Sequence, residues 1–169
     1  MTVLDILTYP DKFLKKQTAP VENIDGALQT ILDSMATTMY SAPGVGLAAP
    51  QVGIGQSFIV YDIAARDDGR DLNVLINPRI VTSEGEIISE NEGCLSVPEF
   101  RADVKRAERI LVEGVDRDGN PLRFEADGLL GIVIQHELDH LNGTLFIDHI
   151  SALKRQLYKR RVIKEMKQQ

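Results

Sequence analysis

The chain has 169 residues, a formal net charge of −6, and 43% hydrophobic against 26% charged residues. That length and composition exclude a disordered chain, and roughly 70% of the unfolded surface can be buried in one domain without disulfides. A single cysteine, Cys94, excludes an internal disulfide, and the longest apolar runs, such as 128–134, fall far short of the ~20 residues that cross a bilayer. The N-terminal stretch MTVLDILTYPDKF has neither a signal-peptide nor a transit-peptide composition. One soluble, cytoplasmic domain over 1–169, with no membrane partner, is the expectation.

Taken in chain order, Tyr9-Pro10-Asp11 reads as a turn into a short helix with Pro10 at its first position. Ile24, Leu28, Ile31, Leu32, Met35 and Met39 repeat at helical spacing, which predicts an amphipathic helix over 24–39 stopped by Ser41-Ala42-Pro43-Gly44. β-Branched and aromatic residues predict strands over 57–63, 73–77, 86–89 and 109–115. Asp116-Arg117-Asp118-Gly119-Asn120 predicts a hairpin turn returning into a strand over 122–125. Asp127 is expected to cap an apolar helix over 129–141, closed by Asn142-Gly143. A basic helix over 151–167 ends the chain. Strands in the middle and helices at both ends predict an α+β fold with mainly antiparallel sheets.

The net charge argues against a general nucleic-acid binder, but it is unevenly spread. Residues 151–169 hold seven cations (Lys154, Arg155, Lys159, Arg160, Arg161, Lys164, Lys167) against one acid, Glu165, so the tail carries +6 and the rest −12. Leu153, Leu157 and Met166 offer it only a thin apolar contact with its own domain. Such a helix is either a solvated face or a docking surface for an anionic partner.

The chemistry lies in His136-Glu137-Leu138-Asp139-His140. On a helix, residues four apart share a face, so both imidazoles can reach one ion while Glu137 projects beside it without being a ligand. Ile132, Val133, Ile134, Leu138 and Leu141 make this helix apolar on most sides, and unpartnered polar groups there would be costly. A catalytic site needs a third protein ligand and one open position. The metzincin histidine is absent, since Phe146 stands where it would fall, and Glu165 lies in the exposed tail. That leaves Cys94, in Glu92-Gly93-Cys94-Leu95-Ser96, as the favoured third ligand. The segment Gly44-Val45-Gly46-Leu47-Ala48-Ala49-Pro50-Gln51 lacks the Lys-Ser/Thr pair of a phosphate-binding loop and follows a helix. It reads as a close backbone approach to a ligand, ending in an amide. His149 lies past the helix end and reads as an ordinary surface histidine.

GVGLAAPQ, EGCLS and QHELDHLNG, in this order and at these separations, resemble the three motifs of peptide deformylase, and the resemblance extends over almost the whole chain. The basic C-terminal helix suits the bacterial type 1 branch. The resemblance implies that Cys94, His136 and His140 bind a divalent metal with a water in the fourth position. Fe²⁺ is the native ion by family likeness, with Ni²⁺, Co²⁺ or Zn²⁺ able to replace it; the donor chemistry alone suits zinc. Glu137 would be the general base. Gln51 and the backbone N–H of Leu95 would donate to the developing oxyanion. Val45, Gly46, Glu92, Arg101, Ile132 and Val133 would surround the substrate backbone and its methionine side chain. The implied substrate is an N-formylmethionyl peptide, the implied partner the ribosome through the C-terminal helix, and the expected state a monomer. A small metallopeptidase and a non-catalytic metal-stapled module are the alternatives from other classes.

Overall fold

In the computed structural model, which describes residues 2–64 and 66–169, the short strand Phe58–Tyr61 is buried at every position. It is the second strand, β2, of a five-stranded antiparallel sheet with order β1-β2-β3-β6-β7. The others are β1 (Gly46–Ala48), β3 (Asn73–Glu84), β6 (Arg109–Val115) and β7 (Pro121–Asp127). Alternate residues go to opposite faces. Leu47, Phe58, Val60, Val74 and Ile76 meet helix α1 (Gly26–Ser41) through Leu28, Leu32, Met35 and Met39. On the other face Ala48, Ile59, Tyr61, Leu75 and Val112 meet helix α2 (Gly128–Leu141) through Val133, Ile134, Leu138 and Leu141. Helices on both faces explain why β2 is apolar without alternation. Burying each large side chain here contributes roughly 1.5–3 kcal/mol.

A separate hairpin, β4 (Ile87–Cys94) with β5 (Val97–Arg106), turns at Leu95-Ser96 and lies beside α2. Its Val97 and Val104 join a third cluster with Leu14, Leu145, Phe146 and Ile147. Helix α3 (Ala152–Lys167) closes that cluster with Tyr158 and Val162.

The α+β class, the antiparallel pairing and all three long helices agree with expectation. Several details differ. Helix α1 begins at Gly26 with the Asp25 carboxylate accepting from the Leu28 N–H, so Ile24 lies outside it, 37% exposed. Asp11, not Pro10, opens the first short helix, a 3₁₀ turn over Lys12–Lys15, by accepting from the Phe13 N–H. Asp127 stands at the cap position of α2 without a capping bond from its side chain, and Gly128, at φ 52, makes the turn into the helix. β1 and β5 have no counterpart among the strands the sequence predicts, and β3 and β4 run longer than the apolar signal. The tail's contact is also different: Leu153, Leu157 and Met166 are mostly exposed, while Tyr158 and Val162 are buried.

Candidate active site and metal centre

Three segments far apart in sequence converge where α2 passes the end of β4. The 3.6-residue period puts His136 and His140 on one face of α2, ring centroids 5.2 Å apart. The β4–β5 turn brings Cys94 to the same place, with its Sγ 3.2 Å from His140 Nε2. One donor atom from each of Cys94, His136 and His140 lies within 4.8 Å of the others. A thiol and two imidazoles, converging and largely buried, fit a divalent cation of borderline softness, with space for an open position.

The residues around them hold these donor groups in orientation. His136 Nδ1 is 2.7 Å from Glu92 Oε1, which leaves the other ring nitrogen for a metal. Both Glu92 oxygens are bonded to Arg106, which is itself almost fully buried and donates to Asp139 Oδ2 at 2.7 Å. His149 is exposed, as expected of a surface histidine, and its Nε2 lies 2.9 Å from that same Asp139 oxygen at the edge of this network. Burial works to raise the Glu92 carboxyl, but His136 and the Arg106 guanidinium outweigh it and hold it at about 2. Burial works to lower His136, yet Cys94 and Glu92 push it well above the ordinary imidazole value. His140 is driven well below, first by burial and then by the charge of His136.

Glu137 is 4% exposed, and its Oε2 has no partner among the described residues. Burial raises its carboxyl to about 7, so it can hold or release a proton near neutrality. A Cβ at Gly46 would lie 2.7 Å from Glu137 Oε1, so the loop passes this carboxylate at a distance only glycine allows. Gln51 is almost fully buried; its Oε1 accepts the Ala48 N–H at 2.9 Å, which turns Nε2 toward Ser96 Oγ (3.0 Å) and Cys94 Sγ (3.7 Å). Leu95 follows Cys94 in the turn, and its side chain would meet a Cβ placed on Gly44 at 2.9 Å.

These groups open into a cleft of about 880 Å³. Val45, Gly46, Arg101, Ile132 and Val133 line it, as do Glu99, Phe100 and Leu129, which the sequence reading did not single out. Glu92 also lines it, though its carboxylate is committed to His136 and Arg106. The loop carrying Val45 is held from behind by Asp62, whose N–H donates to the Val45 carbonyl at 2.9 Å. The Asp62 carboxylate accepts from the Tyr40 hydroxyl at 2.5 Å and from the Ala64 and Asp71 N–H groups. Burial and this bond push the Tyr40 phenol up to about 12.

Sequence reasoning missed Arg106, Asp139, Ser96 and Asp62. Ser96 lies inside a quoted motif and was within reach. Arg106 carried no signal, because a buried arginine looks like any strand-edge cation until its partners on β4 and α2 are placed.

Residues 3–156 match the family model described as "Polypeptide deformylase". The chain belongs to the polypeptide deformylase family. It is similar to the peptide deformylase of Desulfosudis oleivorans, 57% identical over 168 residues covering 99% of this chain and 97% of that one. That of Thermodesulfovibrio yellowstonii is 52% identical over 95% of this chain and 97% of its own length. The crystal structure of a peptide deformylase from Legionella pneumophila superposes with a TM-score of 0.90 at 45% identity, covering 98% of this chain and 96% of that one. One from Ehrlichia chaffeensis, in complex with actinonin, gives 0.91 at 37% identity over 98% of each chain. The family's members are metal-dependent hydrolases that remove the N-terminal formyl group from newly made polypeptides, and this chain is such a deformylase. No helix among the described residues is long and apolar enough to cross a membrane.

Proposed function

We propose that 1–169 is one catalytic domain in which Cys94, His136 and His140 hold the metal, with Fe²⁺ the native ion. The convergence of these three donors carries the reading. The ion, when bound, acts as a Lewis acid toward the formyl oxygen and makes water acidic enough to lose a proton near neutral pH. The chain's own residues do the rest. Glu137, raised to about 7, takes the proton of the attacking water and returns it to the departing amine. Gln51 Nε2, fixed by the Ala48 N–H, donates with the Leu95 N–H to the oxygen that gains charge, a contribution typically of about 2.7–4 kcal/mol. Glu92, braced by Arg106 and Asp139, keeps the His136 ring in its ligating orientation. Val45, Gly46, Arg101, Ile132 and Val133 bind the peptide and its methionine side chain along this cleft.

The test is to purify the protein without oxygen, measure its metal content, and assay formate release from a formyl-methionyl peptide beside ordinary peptide cleavage. Stoichiometric iron with formate release, blocked by actinonin, is expected. Internal peptide cleavage without formate would favour a metallopeptidase, and a fully coordinated, inert metal would favour a structural module.

The protein works as a monomer in the cytoplasm and docks on the ribosome through α3. The cations of α3 stay largely at the surface, with Leu153 at 70% and Leu157 at 55% exposed among them. Contacts with phosphate backbone release counterions and weaken steeply with salt. Truncation at residue 151 would strip Tyr158 and Val162 from the third cluster, so the cleaner experiment reverses the charge of Arg160, Lys164 and Lys167. Co-sedimentation with ribosomes at two ionic strengths should then drop, and unchanged binding would return the helix to a solvated face.

A further inference from the structure

The chain's contact between α3 and the cleft is specific. Tyr158 Oη donates to the Pro98 carbonyl at 3.1 Å, and Arg161 Nη2 donates to the Glu99 carbonyl at 2.8 Å. Pro98 and Glu99 follow Val97 at the start of β5, and Glu99, Phe100 and Arg101 line the cleft. The Phe100 ring lies 4.8 Å from Tyr158 and 6.0 Å from Phe146, whose ring stacks 6.2 Å from His136. A chain of rings thus runs from the C-terminal helix to a proposed metal ligand.

Glu99 has φ 58, in the left-handed region that side-chain-bearing residues enter at a cost. Such a conformation persists only where its surroundings over-determine it. The two main-chain carbonyls that α3 holds are that of Glu99 itself and that of the residue before it. Arg161 also lies over the Tyr158 ring, 5.1 Å from its centroid, so the two clamping side chains support each other.

We infer that α3 is a positioning element for the substrate cleft: Tyr158 and Arg161 hold Glu99 in its left-handed conformation, and so set the wall that receives the peptide beyond its first residue. The cleft is of the size that encloses a drug-sized molecule, larger than a formylated methionine alone requires. Within the clamp Tyr158 is buried and Arg161 stays half-exposed beside it, while Arg160, Lys164 and Lys167 of the same helix make no hydrogen bond or ion pair with Pro98 or Glu99. The helix then serves both location and peptide binding. This inference rests on the deformylase reading of the cleft.

Glycine adopts positive φ without the cost a side chain incurs, so Glu99→Gly removes the need for the clamp. The experiment measures kcat and KM on a formyl-methionyl tripeptide for Arg161→Ala and Tyr158→Phe, each in the native and the Glu99→Gly background. Hydrogen–deuterium exchange over 97–104 is read alongside. In the native background each change should raise KM by about threefold or more with kcat within about twofold, the signature of lost binding without lost chemistry. Exchange over 97–104 should quicken. In the Glu99→Gly background neither change should move KM or exchange, a non-additivity that a merely structural contact would not produce. Equal effects in both backgrounds, or none in either, would overturn the inference. If wild-type protein released no formate, the deformylase reading would fail, while the exchange comparison would still decide the clamp.

Discussion

At Glu137 one carboxylate is buried, unpartnered on one oxygen and passed closely by Gly46. Glu137→Gln should keep the metal and the fold and lose about 10²–10⁴-fold in rate, since the amide cannot carry the proton. Metal content and formate release on the same sample check this, and a variant at a tenth of the native rate would contradict the role. In the proposed role the ionised form is the base, so activity should rise with pH and level off, with its acid limb at or below about 7, because a nearby cation can only lower the carboxyl further. Gly46→Ala should displace Glu137 and cost about 10²-fold in kcat at unchanged melting temperature, as small misplacements at a reacting centre do. These residues were legible to differing degrees. His136, Glu137 and His140 announce themselves by an i, i+4 spacing on an apolar helix. Cys94 needed a process of elimination. Arg106 and Asp139 are joined only by the tertiary fold, so no local pattern carries them.

Among the elements, the strands hardest to foresee are the ones nearest the site. β5 carries Pro98, Glu99, Arg101, Asp103 and Lys105 among its apolar residues, and only three of its ten positions are buried, which blurs the period-2 signal. β1 has three residues and lies within a glycine-rich loop, too short to read as a strand. By contrast β2, α1 and α2 bury enough apolar surface to stand out. The basic helix misled in a different way: charge dominates its composition, and one tyrosine and one valine supply its packing. The C-terminal turn of α2 is a sharper test of element geometry. Gly143 has φ 73, and a Cβ there would sit 2.3 Å from the Lys15 carbonyl oxygen. Gly143→Ala should therefore cost roughly 2–4 kcal/mol and lower the melting temperature by about 5–15 °C in a thermal scan.

Over the whole molecule, a −12 body and a +6 tail give opposite ends to one chain. Among the acidic groups, Asp62 makes a stability prediction. Burial works to raise its carboxyl, but the Tyr40 hydroxyl and the Ala64 and Asp71 N–H groups outweigh it and hold it below the ordinary value of 3.8. Its contribution is present above pH 3.8 and fades as pH falls through its depressed folded value. Denaturant midpoints taken from pH 6 downward should fall less steeply for Asp62→Asn than for the native protein. The proposed ligands come from the end of a two-stranded hairpin and from a helix packed on the other sheet. A cation joining them is therefore a tie between two halves of the structure that share no strand. Whatever binds the folded form alone adds to its stability by mass action, about 2.7 kcal/mol at a hundredfold excess over Kd. Chelation should accordingly bring more than idleness. The stripped protein should melt at lower temperature and be cut sooner by a protease, and returning the ion should restore both, so that the ion that enables the reaction also sets how long the enzyme lasts.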